Sequence, residues 1–209
     1  MANPTQPLYA IGSNARPSGQ DKKCICCTEE VLRTGSPFCY DCREAADALK
    51  IPRENEFRNE KHIEIDFLLA PDLARIGRNL IDRYAEDFSC LVESEIDYFW
   101  KRAGGVSGGQ SVLGKCVKVT GALKFYSDKD FLIWLAADNC AKFDYYKLTA
   151  TVFHELKHAW FNSQASKAEL IGHDFEGFAR EIEIFGAWRN NAVMMQKAFE
   201  SVKQPKLFE

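Results

Sequence analysis

Apolar positions along the chain mark out regions of different character. Residues 1–22 hold three of the seven prolines and almost nothing that could be buried, so they read as a mobile tail. A cysteine-rich module follows over residues 23–45, and a charged stretch over 46–66 reads as a linker. A globular domain is predicted over 67–199, with a short tail at 200–209. From Pro71 to Arg102, residues such as Leu73, Ile76, Leu80, Tyr84, Phe88, Leu91, Ile96 and Phe99 recur at mostly helical spacing. That predicts one long helix or two in succession. The glycine-rich break at 104–109 lacks the Gly-Lys-Ser/Thr of a phosphate-binding loop and reads as a flexible connection.

Two strand-like runs come next, at 115–123 and at 131–136, with a polar turn over Ser127–Asp130 between them. Helical patterning resumes near Tyr145 and runs to Phe161, then again from Phe175 to Trp188 and on toward Phe199. No internal repeat is visible. The expected class is α+β.

Composition narrows the picture. The formal net charge of −3 excludes a wholly basic nucleic-acid binder. No apolar run approaches the ~18 residues needed to span a bilayer, and the polar first residues show no signal-peptide core. The expected location is the cytoplasm. Five of the eight cysteines lie between Cys24 and Cys42, whereas a secreted disulfide framework would be spread through the chain. Cys24-Ile-Cys-Cys27 and Cys39-Tyr-Asp-Cys42 make two knuckles, each able to present two thiolates, and four thiolates suit tetrahedral zinc. Cys26 is a spare in the first knuckle. Such a site is coordinatively full, so its expected role is structural. It resembles short zinc fingers of the DksA/TraR type, which makes a protein or nucleic-acid partner for this module an expectation.

The second concentration of chemistry is Thr151-Val-Phe-His154-Glu155-Leu-Lys-His158. Residues four apart on a helix lie one turn apart on one face, so two imidazoles can grip one zinc. Glu155 can then accept a proton from the water that zinc activates. Leu148, Val152, Leu156 and Ala159 form an apolar stripe, with the histidines roughly opposite it. One side of the helix should therefore pack into the core and the other face a cleft.

A third ligand is expected at His173, placed at the start of the following helix, with Asp174 and Glu176 as partners that orient an imidazole. Either carboxylate, or Cys116, is an alternative ligand. Tyr145 or Tyr146 is a candidate for stabilising an oxyanion. The tryptophans at 100, 134, 160 and 188 read as core, and Cys90, Cys116 and Cys140 as small buried hydrophobes.

His154-Glu-Leu-Lys-His158, fourteen residues, then His173 resembles the SprT-like zinc metallopeptidases. A closer resemblance is to a metallopeptidase family of phages and prophages. It is carried by Phe131-Leu-Ile-Trp-Leu-Ala before the motif, and by His173-Asp-Phe-Glu-Gly-Phe178 and Phe185-Gly186 after it. The resemblance implies a zincin-type domain, with the active-site helix packed on a small sheet. It also implies zinc ligands His154, His158 and His173, with Glu155 as catalytic base. The cysteine module falls outside it, since SprT-like proteins that carry one have it after the protease domain. The expected function is a zinc-dependent peptidase with one catalytic and one structural zinc, acting on protein or peptide. The rival readings are a non-catalytic binding module and a protease stimulated by DNA.

Overall fold

The computed structural model describes Cys24 and residues 40–47, 49–173, 178–188 and 193, and the chain divides into two units, Met1–Asp47 and Ala48–Glu209. In the first, helix α1 (Tyr40–Asp47) carries Cys42, and Cys24, Cys42 and Ala45 are buried. Cys27 and Cys39 lie outside the described residues, as do the predicted tails at 1–22 and 200–209. Within the stretch read as a linker, Glu54–Glu56 form a turn of 3₁₀ helix, and Arg58 bridges Glu64. Phe57 there is only 1% exposed.

The second unit is α+β. Strands β1 (Phe67–Leu69), β2 (Ile96–Lys101), β5 (Gly114–Lys118) and β6 (Phe131–Ala136) form a sheet in the order β1-β2-β6-β5. β6 is parallel to β2 and antiparallel to the edge strand β5, with Gly114 opposite Leu135 and Cys116 opposite Ile133. Alternation decides the faces. Tyr98, Trp100, Cys116, Ile133 and Leu135 are buried, while Phe99 and Trp134 lie side by side on the other face and are half-buried. There Phe67 meets both rings edge-on, and the Lys101 ammonium sits 4.6 Å over the Trp134 ring.

Helix α2 (Pro71–Arg83) starts on a proline, where a missing N–H costs nothing, and buries Leu73, Ile76, Gly77 and Leu80. It ends at Tyr84 and gives way to the short helix α3 (Ala85–Phe88). Two helices in succession thus form, but the helical pattern ends far short of the predicted Arg102, and residues 96–101 are β2 instead. Ile96 and Phe99 are three apart, a spacing a strand can share by chance. The alternation of Asp97 and Phe99 with Tyr98 and Trp100 is the signal that wins, because Tyr98 and Trp100 need a buried face.

The glycine-rich break is a small hairpin, β3 (Val106–Ser107) and β4 (Gln110–Ser111), turning through Gly108 and Gly109 at positive φ. The first predicted strand stops at Lys118. Gly121, at φ 59°, opens helix α4 (Gly121–Ser127) where a strand and turn were expected. After β6 come the short helix α5 (Ala137–Cys140) and then α6 (Tyr145–Lys157). Asp144 caps α6 by accepting a hydrogen bond from the Lys147 N–H at 2.9 Å.

α6 stops at Lys157, short of the predicted Phe161, and a hairpin of β7 (Ala159–Asn162) and β8 (Lys167–Leu170) follows at once. Trp160 and Phe161 belong to this ladder, paired with Glu169 and Ala168. Helix α7 (Ala179–Phe185) begins later than predicted, after the buried Phe178.

The core lies between the sheet and α2, α3, α6 and α7. Phe153, wholly buried, receives the rings of Tyr84, Phe88 and Phe185 at centroid distances of 5.0–5.5 Å. Each such pair contributes ~0.5–1.5 kcal/mol beyond area burial. Among the described residues no helix is long and apolar enough to cross a membrane.

Packing of α2 on the sheet is tightest at Gly77, where a Cβ would come within 2.1 Å of the Tyr98 Oη. That hydroxyl is buried with no hydrogen-bond partner. Gly77→Ala should therefore cost about 1–3 kcal/mol by overpacking, whereas Tyr98→Phe should be neutral or slightly stabilising. Urea denaturation of both variants checks this; a comparable loss in Tyr98→Phe would contradict it.

Candidate metal centre

The His-Glu-x-x-His segment closes α6, with His154 in its last turn and His158 at its C-cap. The helix is not simply half core and half cleft: Tyr145 and every residue from Leu148 to Leu156 is buried. The sheet covers it on one side and α2, α3 and α7 on others, so His154 and Glu155 are themselves only 4% and 5% exposed. Two threonines inside this helix satisfy their hydroxyls on the preceding turn, Thr149 on the Tyr145 carbonyl and Thr151 on that of Lys147, both at 2.7 Å.

Each motif histidine has one nitrogen occupied. The His158 Nδ1 lies 2.7 Å from the Ile171 carbonyl oxygen. A carbonyl can only accept, so this nitrogen carries the proton and Nε2 presents its lone pair. The His154 Nδ1 lies 2.6 Å from Glu181 Oε2, and the Trp188 indole N–H donates to Glu181 Oε1 at 2.7 Å. With the carboxylate accepting at both oxygens, Nδ1 of His154 is the donor and its Nε2 also faces outward.

The hairpin explains how His173 returns to the pair. β7 leaves directly from the end of α6, and β8 runs back beside it until the Ile171 N–H donates to the His158 carbonyl at 2.8 Å. Two residues later His173 places its Nε2 3.0 Å from that of His154. The three imidazoles group their donor atoms within 4.8 Å, and their rings surround Phe178. His173 thus follows a strand, and the helix start predicted directly after it, at 174–177, lies outside the described residues.

This donor set fits a divalent ion. Two nitrogens ~2.0–2.1 Å from a tetrahedral zinc sit ~3.3 Å apart, close to the separation of His154 and His173. Both buried-side nitrogens are already used, which leaves neutral imidazoles as ligands.

Glu155 lies beside the cluster against the edge strand. A Cβ at Gly114 would come within 3.0 Å of its Oε1 and 2.6 Å of the Leu135 side chain, so only glycine leaves room there. A cleft of about 1050 Å³ opens over the site, with walls from the β3–β4 hairpin, β5, the cleft side of α6 and the segment after β8.

Several predicted residues fall elsewhere. Cys116 lines this cleft but does not join the histidine cluster. Burial, with the Glu155 charge adding to it, pushes its thiol well above the usual range, so it stays a neutral and poor ligand. Tyr145 is buried, and the Tyr146 hydroxyl donates to the Phe185 carbonyl; neither lines the cleft. Asp174 and Glu176 lie outside the described residues. Trp188, read as core, is half-buried and lines the cleft. Trp134 and Trp160 are half-buried too, so Trp100 alone is fully core.

The residue that sequence reasoning missed is Glu181. Its signal was present: Phe178, Glu181 and Phe185 share one face of α7, and an acidic residue on an apolar stripe calls for a buried partner.

A buried helix carrying two histidines one turn apart, a third imidazole brought beside them and a carboxylate at the same cleft together define a candidate metal-dependent hydrolase. Residues 65–203 match the family model described as "Putative phage metallopeptidase", and the chain belongs to that family. No curated protein and no solved structure matches it.

Zinc titrated into the protein should bind at these imidazoles, and Glu181→Gln should weaken it about 10- to 100-fold by releasing His154. Competition against a chromophoric chelator measures this, and an unchanged affinity would contradict the orienting role of Glu181.

Proposed function

We propose that the chain is a zinc-dependent peptidase in which His154, His158 and His173 hold the metal and Glu155 is the general base. The observation that carries this reading is the convergence of three imidazoles, two with their Nδ1 atoms already committed, beside a buried carboxylate in an open cleft. Zinc held there supplies a Lewis acid that polarises the scissile carbonyl and lowers the pKa of water.

The remaining work belongs to the chain. Glu155 takes the proton from the attacking water and delivers it to the departing amine, so one carboxylate serves as base and then as acid. Glu181 keeps the proton on Nδ1 of His154, and the Ile171 carbonyl does the same for His158. The edge strand confines the Glu155 carboxylate at Gly114.

The N-terminal module holds a second zinc through Cys24, Cys27, Cys39 and Cys42. Its four thiolates leave no open position, so that ion is structural and the module serves docking, to a protein or to nucleic acid. The family supports a phage-encoded protein, and the cytoplasm of its host is the place of action this reading assigns to it.

Glu155→Gln tests the mechanism. The variant should keep its zinc content yet hydrolyse denatured casein about 10²- to 10⁴-fold more slowly. Hydrolysis at the wild-type rate by this variant would sink the assignment of the base.

Removing zinc with a chelator should abolish hydrolysis, and zinc added back should restore it. Activity that survives complete removal would contradict a metal mechanism.

A further inference from the structure

One wall of the cleft carries a charge that the proposed chemistry does not use and that meets only the face of an aromatic ring among the described residues. Lys147 lies seven residues before His154 on α6, close to the same helix face, ~10 Å along the axis. It lines the cleft and is half-buried, with its ammonium 5.7 Å from the centre of the Phe143 ring. Among the described residues it forms no ion pair; its hydrogen bonds there are made by its backbone, the N–H to Asp144 and the carbonyl from Thr151.

Helix stability does not explain this placement. Lys147 stands in the first turn of α6, where the helix dipole disfavours a cation. The other lysine lining the cleft, Lys115, stands on β5, whereas the neighbours of Lys147 are aromatic. Phe143 and Trp188 pack edge-to-face, with centroids 6.3 Å apart, and Trp188 is fixed by its hydrogen bond to Glu181. Among the described residues lining the cleft, Glu155 is the only acid, and it is taken by the site itself.

We propose that Lys147, walled by Phe143 and Trp188, is a subsite for a carboxylate of the bound peptide. This rests on the peptidase reading above. A carboxylate there gains a charge-assisted hydrogen bond in a partly desolvated position, and the two rings shield the contact from water. The ~10 Å offset from His154 corresponds to about three residues of extended peptide. The carboxylate therefore belongs to an acidic side chain about three residues from the cleaved bond, or to a chain terminus at that distance.

The test is direct binding, which does not depend on turnover. Fluorescein-labelled octapeptides carrying a single Glu, Gln or Lys at each position in turn, amidated at the C-terminus, are titrated by anisotropy into zinc-saturated Glu155→Gln protein. A parallel set of Gln peptides of graded length with free C-termini separates the two sources of carboxylate. Glu at one position, or a free terminus at one peptide length, should bind about 10-fold tighter than its neutral counterpart. Adding Lys147→Met should erase the difference, and Lys147→Glu should favour a Lys at the same position.

Equal binding of all peptides, no measurable binding, or a preference that survives Lys147→Met would overturn the subsite. The inversion in Lys147→Glu guards against a variant that merely misfolds. If the preference is present and the wild-type protein cleaves none of these peptides, the subsite stands and the peptidase reading falls.

Discussion

The site depends on one buried contact, the 2.6 Å hydrogen bond between His154 and Glu181, whose side chains are each about 5% exposed. An isolated carboxylate so far from water would cost several kcal/mol. Here it is offset by the imidazole N–H on one oxygen and the Trp188 indole on the other. The contact also joins α7 to α6, and it determines which nitrogen of His154 faces the cleft. Nearby, Asp87 on α3 receives Arg180 of α7 at 3.0 Å and Lys157 of α6 at 3.4 Å, tying the same helices together. The position of α7 and the tautomer of a candidate metal ligand are thus one physical problem with one solution.

Around that contact the fold works by confinement. α6 is enclosed by the sheet and by helices, so the histidines and Glu155 have little freedom to leave their geometry. The edge strand adds a glycine where any side chain would press on Glu155. The β7–β8 hairpin adds a reciprocal pair of bonds between His158 and Ile171, one through the ring and one through the backbone. His173 is exposed and follows directly after that pairing. Rigid burial on one side and an open cleft on the other is the arrangement expected of a preformed binding site.

Local signals in the sequence were legible, and relations between distant segments were not. The four-residue spacing of His154 and His158 is a property of one helix, and the α+β class follows from the mixture of helical and alternating runs. His173 was identifiable as a third histidine nearby, yet its route was misread. The hairpin over 159–170 was hidden because Trp160 and Phe161 continue an apolar pattern that a helix could also have carried. β2 was hidden because Ile96 and Phe99 continue the three-residue spacing of the preceding helix, while the alternation that marks a strand, Tyr98 and Trp100 against Asp97 and Phe99, spans only four residues. Glu181 was passed over in favour of Asp174 and Glu176, which are nearer to His173 in sequence. Asp174 and Glu176 themselves lie outside the described residues.

The most direct measurement is zinc per chain by elemental analysis, comparing the full-length protein with a variant in which His154, His158 and His173 are all alanine. The account predicts a difference of about one zinc per chain, with the thiolate-bound ion retained by both proteins. Equal zinc content in the two would contradict a metal centre at these histidines.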